Sequence, residues 1–257
     1  PWISRNQTTI MILPKPEDAV HKAWLYRLLT SLADDNELMT VLYFKGGTCA
    51  SMLGYLDRFS VDLDFDAQNL TASQITTMRS QLEKHFKDLG LSIKQHSTVG
   101  IQYICKYEAV GRVRNTIKLE VNFPAPLANE YAATYFSEID RTLPAQTKET
   151  IFANKLVAIL DRWERHGSIA GRDLYDVHHF FIQGYRYLES VIVERRGTTV
   201  EKFFEELIQF IQTHINQTVL QQDLNSLLPY VQYKKLAPTL KQETIVFLQD
   251  ELSQLNS

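Results

Sequence analysis

The stretch from Phe44 to Phe65, FKGGTCASMLGYLDRFSVDLDF, restricts the fold more than any other part of the chain. Val41-Leu42-Tyr43-Phe44 is apolar throughout and stops at a glycine pair, the pattern of a short buried strand entering a turn. Gly46-Gly47 admits backbone angles that a Cβ disfavours, so successive amides can turn toward an anion. Thr48 reads as a helix N-cap, and the free N–H groups of that first turn suit a phosphate. Farther on, Val61, Leu63 and Phe65 alternate with Asp62 and Asp64, so strand periodicity puts both carboxylates on one face. Carboxylates that close repel unless a cation lies between them, and hard oxygen ligands of this kind suit Mg²⁺ or Mn²⁺. Either motif alone is commonplace: Gly-Gly-Thr is a common turn and Asp-x-Asp a common polar strand face. In the order strand, Gly-Gly-Thr, helix, loop, Asp-x-Asp strand, they read together as a metal–nucleotide site.

The remaining elements group by type along the chain. Residues 1–16 read as an irregular arm, and a helix follows to about Ala33 with Leu25, Leu28, Leu29 and Leu32 on its apolar face. Asp34-Asp35-Asn36 ends it. Thr71 caps a helix from Ala72 to about Leu89, closed by Gly90. Segments 92–98 and 101–107 flank Val99-Gly100 as a hairpin. Asn115 to Phe123 is the clearest alternating strand, with Ile117, Leu119 and Val121 on one face and Glu120 on the other. By itself Glu120 is a solvent-facing strand residue; with Asp62 and Asp64 upstream it becomes a candidate third carboxylate. After about Pro144 the pattern turns helical: 148–165, 171–181, then 199–215, 218–227 and 239–255. Strands first and helices later imply an α+β domain over residues 1–145 followed by a helical domain over residues 146–257.

Length and composition allow this: 257 residues with 44% hydrophobic content suffice for one large or two modest domains. A formal net charge of −3 excludes a global basic field, so any nucleic-acid contact has to come from a local patch. Arg112, Arg114, Arg195-Arg196 and Lys234-Lys235 are the candidate contributors. Cys49 and Cys105, the 2 cysteines, have neither disulfide nor zinc spacing, which fits a reducing cytoplasm. No signal peptide and no run long enough to span a membrane is evident. His178-His179 reads as core edge rather than as metal ligands.

In this order the motifs resemble the polymerase-β-like nucleotidyltransferase superfamily, and within it the AbiEii/AbiGii toxins of type IV toxin–antitoxin systems. Four matches carry the resemblance. They are Gly46-Gly47-Thr48 with Arg58-x-Ser60-x-Asp62-Leu63-Asp64; Glu120 in Ile117-Lys118-Leu119-Glu120-Val121; Lys155-x-x-Ala158-x-x-x-Arg162; and Arg172-Asp173-Leu174-Tyr175-Asp176-Val177. The resemblance spans roughly residues 43–181, leaves the later helices unassigned, and departs from the family in having Glu120 where Asp is frequent.

The resemblance implies an α+β nucleotidyltransferase domain with a mixed sheet, followed by a helical domain that completes the nucleotide cleft. It implies transfer of a nucleotidyl group from a nucleoside triphosphate to RNA, foremost the tRNA acceptor end, blocking translation, with a cognate antitoxin as partner. Asp62, Asp64 and Glu120 would hold Mg²⁺ or Mn²⁺. Gly46, Gly47 and Thr48 would hold phosphates, and Lys155 would approach the triphosphate. Asp176 or Asp173 would orient Lys155 or touch the ribose, with Arg58 and Arg162 beside the nucleotide. On spacing alone, Lys155 and Arg162 read as the exposed edge of an amphipathic helix, and Asp173 as a favourable charge at a helix start. Alternatives are nucleotidylation of a protein hydroxyl, a kinase-like phosphotransferase, whose signature set is absent, or a degenerate nucleotide-binding module.

Overall fold

The apolar run up to Phe44 and the alternation after Ser60 yield paired strands at the centre of one seven-stranded mixed sheet among the described residues. The computed structural model describes residues 15–16, 18–109 and 114–255. The arm expected over 1–16, apart from its last two residues, and Arg112 lie outside them. The strands are β1 (Leu42–Lys45), β2 (Asp62–Ala67), β3 (Ser92–His96), β4 (Ile101–Lys106), β5 (Thr116–Asn122), β6 (Tyr131–Phe136) and β7 (Arg141–Gln146). Their order is β3-β4-β5-β2-β1-β7-β6. The β1–β7 and β2–β5 pairs run parallel and the others antiparallel. Inward Phe44 and Phe65 meet with ring centroids 5.3 Å apart, and Phe136 joins Phe44 from β6, so the strand that leads into the glycine pair and the strand that carries the acids share one aromatic core.

The strands β6 and β7 depart from the sequence reading, which leaves 131–146 unassigned. β6 is an edge strand with no clean in–out alternation, and β7 contains Pro144. Proline fits because β7 is only partly paired: it meets β1 at Phe44↔Ala145 alone, and its register with β6 places Pro144 opposite Ala133.

Helices α1 (Asp18–Ala33), α2 (Asn36–Met39), α3 (Gly46–Met52) and α4 (Ala72–Asp88) are interleaved with the strands. α5 (Lys148–His166), α6 (Gly171–Ile182), α7 (Glu189–Arg196), α8 (Val200–His214), α9 (Gln217–Leu224), α10 (Tyr230–Leu236) and α11 (Leu240–Leu255) follow the sheet. Caps set several boundaries. Thr71 and Gln74 form a reciprocal capping box on α4, Thr147 caps α5, and Gly167 ends α5 in the left-handed conformation (φ 58°). α1 ends at Ala33, where Asp34-Asp35-Asn36 was expected to end it, and Asp35 also caps α2, accepting from the amides of Glu37 and Leu38. α5 packs on α6, α7 and α8, and also touches α3, so the later helices lie against the helix that begins at the glycine pair. None of the described helices is long and apolar enough to cross a membrane.

His21 of α1 anchors the strand entry to the Asp-x-Asp element. It is buried; its Nε2 lies 3.0 Å from the Val61 carbonyl and its Nδ1 2.9 Å from the Tyr107 hydroxyl. Burial is the main cause that pushes its pKa down to about 4, with Arg114 adding to it. The unfolded chain therefore takes up the proton first. Stability is fully present above pH 6.5 and is lost as pH falls toward 4, by up to about 3 kcal/mol. Melting temperatures across that window should fall for the wild type and stay flatter for His21→Gln, which keeps a donor for Val61 but cannot titrate.

Candidate active site

Register in the parallel β2–β5 pair brings the acids together. Asp64 lies opposite Glu120 and Asp62 opposite Lys118, so all four side chains leave the sheet on one face. They border a cleft of about 540 Å³ whose wall also includes Gly46, Gly47, Arg58, Lys155, Arg162 and Asp173. Of the eleven residues singled out from the sequence, only Thr48 and Asp176 do not line it.

Thr48 is a correction. α3 starts at Gly46, with Lys45 in the capping position, so Thr48 lies inside the helix and is buried. Its hydroxyl donates to the Asp62 carbonyl at 2.5 Å and meets the Ser60 hydroxyl at 3.0 Å. That side chain fastens α3 to the acidic strand instead of facing a phosphate. The helix can begin early because Gly46 adopts φ +80°, which a side chain would resist. A Cβ at Gly46 would also stand 2.5 Å from Asp64 Oδ2, and one at Gly47 2.8 Å from Ser60 Oγ. The glycine pair is needed because the acids and Ser60 press against its backbone.

Burial raises the pKa of Asp64 to about 6, with the charge of Asp62 adding to it against Lys45 and Lys118. Asp62 is raised for the same first reason. Two carboxylates held with this difficulty in ionising, on one face of one strand, suit a hard divalent cation, which would remove the repulsion. Glu120 shares the face, but its carboxylate is bonded to Lys118 Nζ, and among the described residues no three acidic, histidine or cysteine side chains converge as a ligand group. To join Asp62 and Asp64 on a cation, Glu120 has to turn from Lys118.

One acid escaped the sequence reading. Asp66 continues the alternation of Asp62 and Asp64 on the same face and is fully buried. It accepts from Lys45 Nζ at 2.5 Å, Gln146 Nε2 at 2.7 Å, Tyr131 Oη at 2.9 Å and Asn129 Nδ2 at 3.0 Å. These bonds join β1, β2, β6, β7 and the turn after β5 next to the cleft. The period-two continuation was visible in the sequence, but the donors come from positions scattered over about a hundred residues.

Behind the cleft, the helical half is tied to the loop before β2 through Asp176, which is fully buried on α6. Arg58 grips it with two bonds, Nη2 to Oδ2 at 2.7 Å among them, and Lys155 Nζ from α5 meets Oδ2 at 2.7 Å. Burial opposes the Asp176 charge, but Arg58 and Lys155 outweigh it and hold the pKa at about 2. Arg58, which the resemblance places beside the nucleotide, is buried against Asp176 and also lines the cleft. Arg162 Nε pairs with Asp173 Oδ2 at 2.7 Å. Arg172 lines the cleft close enough to lower the Asp62 pKa and forms no ion pair among the described residues.

Helices beyond residue 181, unassigned from sequence, also hold the site. The Phe59 amide donates to the Leu227 carbonyl at 3.2 Å, and Leu227 lines the cleft. Asp57, next to Arg58, accepts from Tyr175 Oη and from Gln232 Nε2 of α10, and His179 stands 3.2 Å away. His178 is buried and pairs with Glu243 of α11. His178 thus lies between α6 and α11, and His179 faces the loop that carries Asp57.

Solved structures share this architecture. JHP933 from Helicobacter pylori superposes with a TM-score of 0.56 at 22% identity, covering 95% of this chain and 97% of that one. MenT4, a nucleotidyltransferase toxin from Mycobacterium tuberculosis, gives 0.55 at 20% identity, covering 91% and 84%. No curated protein sequence matches the chain. The family model "Nucleotidyl transferase AbiEii toxin, Type IV TA system" matches residues 27–244, spanning both the acidic sheet and the helices that close on it. The chain therefore belongs to the AbiEii nucleotidyltransferase toxins of type IV toxin–antitoxin systems.

Proposed function

We propose that this nucleotidyltransferase moves a nucleotidyl group from a nucleoside triphosphate onto a hydroxyl of RNA, foremost the acceptor end of tRNA, and so blocks translation. The observation that carries the reading is a single cleft combining Asp62, Asp64 and Glu120 on one wall with Lys155, Arg162 and Arg172 on the other. Acids on one side suit the reacting end, and cations on the other suit a triphosphate. Asp62 and Asp64, with Glu120 once turned from Lys118, would hold Mg²⁺ or Mn²⁺, which supplies charge neutralisation at the phosphates. Gly46 and Gly47 bring backbone close to the phosphates, and Arg58 and Asp176 hold Lys155 in place. The acceptor oxygen bonds to the α-phosphorus, the bond from that phosphorus to the β-phosphate oxygen breaks, and pyrophosphate leaves with the electron pair. The hydroxyl proton passes to the Glu120 carboxylate. A cognate antitoxin is the partner that family membership implies, and the cytoplasm, where tRNA and triphosphates meet, is the compartment.

The test is incubation with each labelled nucleoside triphosphate, Mg²⁺ and total cellular RNA, followed by separation of RNA from protein. Label should enter small RNA, and the RNA affinity should fall steeply with salt through counterion release. Label confined to protein bands would replace RNA by a protein hydroxyl as acceptor.

A further inference from the structure

A second cleft of about 540 Å³ shares Asp64 and Glu120 with the first and opens on their other side. Lys45, Asn122, Pro124 and Pro126 form one part of its wall, and Asn129, Asn154, Arg165 and Arg195 another. The triphosphate site uses none of these side chains. The wall is rigid. Asn129 Nδ2 donates to Asp66, and Asn154 Nδ2 donates to Asn129 Oδ1 and to the Thr150 carbonyl, each at 3.0 Å. Arg195 Nη1 donates to Asn154 Oδ1 at 2.5 Å, and its other terminal nitrogen is held by Asp161. Arg196, also on this wall, is held by Asp161 and Glu164.

These bonds use the N–H groups of both amides, while each amide oxygen keeps a second lone pair. Asp161 and Glu164, both on the wall, offset Arg195 and Arg196. Such a surface accepts hydrogen bonds and, away from Arg165, offers phosphate no unpaired cation among the described residues, so it favours an uncharged group rich in donors. Only Arg165, exposed near the mouth, carries a cation with a largely free face.

We infer that this second cleft receives the 3′-terminal nucleoside of an RNA, with its ribose hydroxyls donating to the amide oxygens of Asn129 and Asn154 and its preceding phosphate near Arg165. The inference rests on the nucleotidyltransferase reading above and adds where the acceptor lies and why it is ribose-ended. A terminal hydroxyl seated there borders Asp64 and Glu120 from the side opposite the triphosphate, which in-line displacement requires.

Three measurements test it. First, an RNA oligonucleotide with 4-thiouridine at its 3′ end is photo-cross-linked to the full chain. Attachment should map to the segment around 122–129 or to α5 near Asn154; attachment at Arg162, Arg172 or the 3′-end-distal surfaces would overturn the assignment. Second, Asn154→Ala and Arg165→Ala should raise the KM for RNA about 10-fold while the KM for the triphosphate stays within twofold. Equal rises in both, or none in either, would count against a dedicated acceptor cleft. Third, a 2′-deoxy 3′ terminus should be a poorer acceptor for the wild type, and the penalty should shrink in Asn154→Ala; an undiminished penalty would remove Asn154 from ribose recognition. Failure of the wild type to label any RNA defeats the transfer reading, whereas labelling with unaltered acceptor KM in the variants defeats only the site.

Discussion

Asp64→Asn is expected to abolish nucleotide transfer, with a rate loss on the order of 10³-fold or more, because the carboxylate facing both clefts is removed while its shape is kept. The same substitution should leave the protein more stable near neutral pH. A carboxyl whose folded pKa is raised from 3.8 to about 6 contributes stability below pH 3.8 and loses it as pH rises through 6. At pH 7 the retained negative charge therefore opposes folding, by about 2 kcal/mol once water reaching the carboxylate through the cleft is allowed for. A higher melting temperature with lost activity is the expected pair of outcomes. An active Asp64→Asn, assayed with Mg²⁺ at saturating triphosphate, would sink the assignment of the acidic face to catalysis.

Lys155→Ala should lose about 100-fold or more in initial rate at saturating triphosphate, if its ammonium neutralises charge growing on the leaving pyrophosphate. Its partner Asp176 keeps Arg58 in that variant, so the melting temperature should change little. Lys155→Arg should recover only part of the rate, since a planar guanidinium does not replace a compact ammonium. Asp176→Asn should fall by a similar factor but with a visible drop in stability, because it leaves Arg58 buried with a neutral partner. The acid dependence follows: Asp176 contributes about 2 kcal/mol above pH 3.8, lost as pH falls toward 2. The Lys155→Ala/Asp176→Asn double variant should be little slower than either single, since one unit is disabled in each. Near-normal turnover by Lys155→Ala would detach the helical half from catalysis.

Much of this site was legible in local pattern. Alternation alone placed Asp62 and Asp64 on one face, and the glycine pair marked a close backbone approach. The clearest strand carried Glu120, and its pairing with β2 set it beside Asp64. Thr48 was misread because N-cap preference is a statement about helix starts, and the positive φ of Gly46 moved the start three residues upstream. Asp66 went unremarked because an acid's value as a hub depends on donors that the sequence scatters. The strands β6 and β7 were missed because an edge position and a partly paired, proline-containing strand weaken the period-two signal.

What the sequence determined was therefore whatever depends on neighbours within a few residues: the strand–turn–helix–strand order, the shared face of the acids, and the caps of α4. Only the tertiary structure decided what depends on long-range pairing. It joined Arg58 to Asp176 across 118 positions and Gln232 to Asp57 across 175. It set β2 beside β5, and it opened a second cleft behind Asp64 and Glu120. Local spacing specifies backbone geometry because dihedral and periodicity preferences act over one or two turns. Which buried charges meet is fixed by the cost of leaving any of them unpaired in the assembled core.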